Sequence, residues 1–292
     1  MNDTTNPSNS VVRKSTVNKT VQRLWVGYHQ AIKVSLVWAG LLLGLFWVLI
    51  QMGLDGAFMR EQFALVTIGK PSFDLSEFPL WQGIVVTIQI SLVSILIAVV
   101  LALMGALARL SSNPILNGLA GFYVSFIRGT PLLVQIYIIF LGLPRFVPPD
   151  VTKNILTPMN SAIIALSVNY GAYMTEIFRA GIQSIGHGQR EAAYALGMTY
   201  GQTMRRIVLP QAFRIIIPPV GNQFIAMLKD SSLVSVAGGV WDLTFLAQKV
   251  GRRHFRNMET FIIAAGLYWL LTIIFTAVQS RIEKRSAAGY ER

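Results

Sequence analysis

Glu176 and Arg179 stand one helical turn apart inside an apolar stretch, Arg128 stands inside another, and Lys229 and Asp230 lie towards the end of a third. Side chains three apart on a helix are neighbours, so Glu176 and Arg179 can pair with each other, and Glu176 can also receive a cationic group. Arg128 can meet a carboxylate bidentately, or extend towards lipid headgroups. Pro218-Pro219 removes two amide donors from the third stretch and is followed by Asn222 and Gln223. That run reads either as a kink that shapes packing or as a local opening that exposes carbonyls beside two amide side chains. Pro131 after Gly129 raises the same alternative. Bond-breaking chemistry has no comparable support. There is no cysteine, hence no disulfide or thiolate site, and the three histidines are scattered at 29, 187 and 254. No Gly-x-x-x-x-Gly-Lys-[Ser/Thr] phosphate loop is present, because Gly69-Lys70 is followed by Pro71 and lacks the preceding glycine. The sequence therefore predicts no catalytic residue, no metal ligand and no cofactor bound by this chain.

These polar groups are set in a chain that is 53% apolar and only 13% charged, against about a quarter charged in soluble domains. Residues 34–54, 84–108 and 260–280 contain no Asp, Glu, Lys or Arg. Each stretch reaches the roughly 20 residues that a helix needs to cross about 30 Å of hydrocarbon. Three further spans, about 119–143, 160–181 and 213–236, carry the charges described above. Charges inside a span are costly unless they face protein or water, so the helices read as a bundle around something polar. The net charge of +12 does not indicate nucleic acid, because the basic residues flank apolar spans and form no soluble basic face.

Basic residues also set the orientation. Arg13, Lys14, Lys19 and Arg23 precede the first span, Arg190, Arg205 and Arg206 lie between the fourth and fifth, and Arg281, Lys284, Arg285 and Arg292 follow the sixth. Six spans with both termini inside satisfy the excess of positive charge on cytoplasmic loops. Residues 237–259 dissent: this expected outer loop carries Lys249, Arg252, Arg253 and Arg256. It reads either as an interfacial helix or as a docking surface for an acidic external partner.

The inside loop between the fourth and fifth spans is the most informative segment. Residues 191–196 favour helix, and Gly197 can end or turn it. Residues 198–209 read as a second short amphipathic helix, with Met204, Ile207 and Val208 on one side and Pro210 marking entry into the next span. The loop is thus a helix-turn-helix on the cytoplasmic surface.

Glu191-Ala192-Ala193, Gly197, Ile207 and Leu209-Pro210 match, with no gap, the EAA motif of ABC importer permeases. Phe126-Ile127-Arg128-Gly129-Thr130-Pro131-Leu132-Leu133 resembles a signature of polar amino acid permeases, as do residues 170–181 and 229–233. The resemblance covers about 81–285. It implies an all-α membrane protein, a type I ABC importer transmembrane domain with a five-helix core plus one additional N-terminal transmembrane helix. The expected organisation is a basic tail 1–32, the additional helix 33–54, an external loop 55–80, the permease domain 81–285 with its coupling loop at about 184–212, and a tail 286–292.

By the same resemblance, Glu191, Ala192, Ala193, Gly197, Ile207, Leu209 and Pro210 form a coupling helix that seats in an ATPase subunit, and ATP and magnesium bind that partner. An external solute-binding protein delivers a polar amino acid, and a second permease chain, identical or related, completes the pore in the bacterial plasma (inner) membrane. Arg128, Glu176, Asn222 and Gln223 are the expected substrate-pathway residues, with Glu176 facing the ammonium group in one alternative. A self-sufficient secondary carrier or channel is the competing class. It would have no use for the EAA loop.

Overall fold

The computed structural model describes residues 79–237 and 239–287, the segment 56–60, and individual helical positions between 32 and 47. The expected span at 34–54 and the two tails fall largely or wholly outside the described residues. The chain divides into two units, Met1–Gly56 and Ala57–Arg292, and the second carries every element below.

Among the described residues all regular structure is helical. The long helices are α1 (Pro79–Arg109), α5 (Pro158–Gln183), α8 (Leu209–Asp230) and α10 (Asn257–Ala287). Between them lie α2 (Pro114–Arg128), α3 (Leu132–Tyr137), α4 (Pro149–Asn154), α6 (His187–Ala195), α7 (Tyr200–Thr203) and α9 (Leu243–His254). Helices suit a membrane, because hydrocarbon offers no partner for a free amide or carbonyl and a helix satisfies both within one segment. By length and composition α1 and α10 can cross a membrane. At 1.5 Å per residue, α5 and α8 are also long enough, about 39 and 33 Å, but their charged residues make them the polar members of the bundle.

The expected third span, 119–143, is not one helix. α2 and α3, with its continuation to Arg145, are bent by 106° at Gly129-Thr130-Pro131. Pro131 has no amide to donate and sits at the extended N-cap of α3, while Gly129 closes α2 by donating to Ser125 O at 2.9 Å. Beyond Tyr137 the chain continues as a π-turn (Ile138–Gly142) and a short 3-10 turn (Leu143–Arg145).

α1 and α5 form the centre of the bundle. Ala98, Ala102 and Ala106 of α1 and Ala162, Ala165 and Ala172 of α5 are all buried. Small side chains let the two backbones approach, which is how membrane helices gain packing contacts where apolar burial gives little advantage over lipid. The approach is close at Gly171, where an added Cβ would lie 2.9 Å from Tyr123 Oη and 3.0 Å from Leu101 Cβ. Tyr123 also donates to Val168 O at 2.7 Å, which ties α2 to α5. Large apolar residues cover the outside instead: Leu96 and Met104 of α1, Phe122 and Phe126 of α2, and Trp269 and Ile273 of α10 are exposed. Such a surface suits lipid or partner helices and not water.

Helix ends are satisfied locally. Asn113, Thr157 and Asp242 cap α2, α5 and α9 by accepting from amides of the first turn, each worth about 1 kcal/mol. α9 occupies the expected outer loop 237–259. Its apolar residues Leu243, Leu246 and Ala247 are buried, and its first turn is fixed to α1 by Leu243 N–H donating to Thr87 Oγ1 at 3.1 Å. Arg252 and Arg253 remain exposed.

Candidate functional site

The loop between α5 and α8 is a built turn. α6 ends in a pair of capping hydrogen bonds: Gly197 N–H donates to Tyr194 O at 2.9 Å, and Met198 N–H to Ala193 O at 3.1 Å. That pairing needs a left-handed residue, and Gly197 has φ of 75°. Thr199 then starts α7 with a reciprocal cap, accepting from Gln202 N–H while Gln202 Oε1 accepts from Thr199 N–H. The loop is tethered to the bundle by Arg190, whose Nη2 donates to Ile182 O at 2.8 Å.

The second helix of the loop differs from expectation. It is not a separate element over 198–209. α7 passes through a π-turn (Met204–Val208) straight into α8, with Pro210 in the first turn of α8. The π-turn lets Leu209 N–H reach Met204 O, so the chain accommodates a proline without stopping the helix. α6 packs back on this π-turn.

The motif residues divide by exposure. Ala193 is buried, Ile207 and Leu209 are half-buried, and Glu191, Ala192, Gly197 and Pro210 are exposed. The first group holds the loop to the bundle. The second faces outwards beside three residues that sequence reasoning did not single out: Leu196, 82% exposed, Tyr200, 64%, and Tyr194, 45%. Aromatic and leucine side chains in a helical run read as core.

The second arrangement is a cavity of about 520 Å³ bordered by Arg128, Gly129 and Pro131 at the α2–α3 bend, by Asn169, Tyr170 and Tyr173 of α5, and by Gln223 and Asp230 of α8. Arg128 lies over the Tyr173 ring, 5.2 Å from its centroid. Asp230 accepts from Tyr170 Oη at 2.8 Å. A cation and a carboxylate thus border one cavity from different helices. Asp230 and Tyr170 join Arg128 and Gln223 here. Their sequence separations carried no sign of it.

Glu176 does not border this cavity. Its Oε2 accepts from Arg179 Nε and Nη2 at 2.9 and 2.7 Å, and its Oε1 lies 3.7 Å from Arg109 Nε. It thus joins the end of α1 to α5. Asn222 borders a separate cavity of about 450 Å³ between α8 and α10, with Lys229, Gln279 and Glu283. There Gln279 Nε2 donates to Pro218 O, Asn222 Oδ1 and Glu283 Oε1 at 3.2, 3.0 and 2.7 Å. α8 stays helical through Pro218 and Pro219.

Residues 98–287 match the family described as binding-protein-dependent transport system inner membrane component. The chain belongs to this family. It is 44% identical over 218 residues to the L-cystine transport system permease protein of Bacillus subtilis, covering 73% of this chain and 90% of that one. It is 36% identical over 204 residues to the arginine transport system permease protein of the same organism, covering 70% and 90%. A crystal structure of an amino acid ABC transporter with histidines superposes with a TM-score of 0.66 at 35% identity, over 80% of this chain and 99% of that one. The chain is therefore a membrane permease subunit of an ATP-driven importer, and hydrolysis of ATP occurs on a separate subunit.

Proposed function

We propose that this subunit passes polar amino acids across the bacterial inner membrane, that the cavity at Arg128 and Asp230 is where the cargo is held, and that the α6–Gly197 turn receives the motion of the ATPase. One observation carries the reading of the cavity: opposite charges from α2 and α8 border one space, of a size common for small-ligand sites. A zwitterion's carboxylate can accept a forked pair of hydrogen bonds from Arg128. Its ammonium group can donate to Asp230, beside the Tyr170 hydroxyl. The relatives named for cystine and arginine transport support a polar amino acid as the cargo class.

The remaining assignments follow the family. ATPase subunits bind ATP and magnesium, an external binding protein presents the cargo, and a second permease chain completes the path. The exposed Tyr194, Leu196 and Tyr200 beside Glu191 and Ala192 supply the apolar and hydrogen-bonding contacts that a partner's cleft would cover. The α6 loop then faces the cytoplasm and α9 the outside, because α8, about 33 Å long, separates them. Both termini are cytoplasmic on this reading, and the helix at 33–54 adds to a five-helix core.

The test is uptake of radiolabelled L-arginine, L-cystine and a panel of polar amino acids into vesicles holding this chain, its ATPase and its binding protein. Uptake should need ATP and all three proteins, and Asp230→Asn or Arg128→Ala should raise the half-saturating cargo concentration at least tenfold. ATP-independent flux through this chain alone would overturn the importer reading in favour of a secondary carrier. Unchanged half-saturation in both variants would remove the cavity from the path.

A further inference from the structure

The 106° bend between α2 and α3 opens the last turn of α2 and frees carbonyls that a continuous helix would satisfy. Thr130 Oγ1 donates to Phe126 O at 2.9 Å, and one buried side chain collects others. Gln135 is 5% exposed, and its Nε2 donates to Ile127 O at 2.7 Å, Thr130 Oγ1 at 2.8 Å and Thr130 O at 3.1 Å. Its Oε1 accepts from Asn169 Nδ2 at 2.9 Å. Asn169 is equally buried, sits on the central helix α5, and borders the Arg128 cavity. The acceptors Ile127 and Thr130 flank Arg128 and Gly129 in sequence. A continuous hydrogen-bonded path therefore runs from α5 through Asn169 and Gln135 to the backbone on both sides of Arg128.

We infer that Gln135 and Asn169 are positioning residues that hold the bend, and through it the Arg128 guanidinium, at the cavity. Apolar residues of similar size would fill the same space but remove the amide donor from Ile127 O and Thr130 O, leaving Ile127 O only the long contact from Thr130 Oγ1 at 3.4 Å and Thr130 O only what the cavity admits. The bend would then relax, and Arg128 would lose its fixed place over Tyr173. Asn169 has a second role open to it. Asn169 itself borders the cavity, so a cargo that bonds to it acts on the same path that fixes the bend.

This inference rests on the cavity being the cargo site, and two measurements separate the two ideas. The first compares cargo half-saturation and maximal uptake rate, with L-arginine and L-cystine, for Gln135→Leu, Arg128→Lys and the double variant. Positioning through Arg128 predicts that Gln135→Leu raises half-saturation about tenfold with the maximal rate largely kept, and that the double variant is no worse than Arg128→Lys, since groups that act through one another do not add. The second needs no transport. The chain has no cysteine, so Leu132→Cys at the cavity rim is a unique label for a water-soluble thiol reagent in membranes. Gln135→Leu and Asn169→Leu should each change its labelling rate severalfold in chains that still reach the membrane and elute as intact complex. Independent, multiplying effects of Gln135→Leu and Arg128→Lys, or an unchanged labelling rate, would overturn the inference. A changed labelling rate with uptake indifferent to Arg128 would keep the positioning role and remove the cavity from the cargo path.

Discussion

Gly197 offers a test in which the backbone and the partner can be told apart. Its φ of 75° is a conformation that costs an L-residue roughly 1–2 kcal/mol, yet a Cβ built there meets nothing within 4 Å. Gly197→Ala therefore carries the conformational cost and no clash. The two capping hydrogen bonds to Tyr194 O and Ala193 O exist only while this residue is left-handed, so the cost falls on the population of the formed turn. A change of 1–2 kcal/mol lowers the equilibrium constant for the formed turn by about 5- to 30-fold, and the apparent affinity of the ATPase for the permease falls by up to that factor. Gly197→Asn should lose less, because asparagine visits the left-handed region more readily. Gly197→Asp combines the same conformational cost with a new charge on the exposed turn and should abolish ATP-dependent uptake. Titrating purified ATPase onto the permease in nanodiscs measures the affinity, and thermal unfolding of the permease alone should stay near wild type because the position is exposed. An alanine variant that binds ATPase as tightly as wild type would refute the reasoning. So would one that unfolds the whole bundle.

Glu176→Gln removes the carboxylate that Arg109 and Arg179 share. The three side chains are 22–31% exposed, so solvent screens the pair and the loss should be about 1 kcal/mol, a fall in midpoint of a few degrees, with uptake kept; lost uptake at unchanged midpoint would return Glu176 to the cargo path. Gly105→Val places side-chain atoms on Thr175 of α5 and should prevent stable packing of α1, read as loss of monodisperse protein in detergent; a well-folded variant would show that the α1–α5 contact is adaptable. Asp242 is buried at the cap of α9, and burial raises its carboxyl pKa from 3.8 to about 6 despite amide donors from Thr244 and Phe245. The facing ionisable group is Tyr268, whose hydroxyl bonds to Thr244. A raised folded-state pKa means stability that is complete below about pH 4 and is lost as pH rises through about 6. Asp242→Asn should keep the cap and flatten that dependence, so the variant's midpoint gains on wild type between pH 4 and 7; parallel pH profiles would exclude a titrating Asp242.

Much of the architecture was legible because hydrocarbon is a demanding solvent. Uncharged runs at 84–108 and 260–280 could only be helices, and they are parts of α1 and α10. The turn after Ala195 was legible for a local reason, since a glycine at that spacing can take the left-handed cap that other residues resist. Local rules failed where a long-range donor repaired a broken helix. Residues 119–143 are apolar enough for one span, and nothing near Pro131 signals that Gln135 and Asn169 will satisfy a 106° bend. Pro218-Pro219 is a second place where only packing decided. The pair left a kink or an opening as alternatives, and packing decided between them: Gln279 of α10 donates to Pro218 O across 61 residues and α8 remains helical.

The division at the α6 loop and the Arg128 cavity has the same physical basis. The order of residues determined the number of apolar runs, the helical loop before α8 and its glycine, because solvent transfer and backbone sterics act on each segment by itself. Which polar groups meet was decided only by tertiary packing. Glu176 went to Arg109 and Arg179 at the junction of α1 and α5. Asn222 turned towards α10, and Asp230 joined Arg128 at the cavity although 102 positions separate them in the chain. A side chain's partner depends on which face its helix presents once small residues let the backbones close, and no spacing within one helix specifies that face for another.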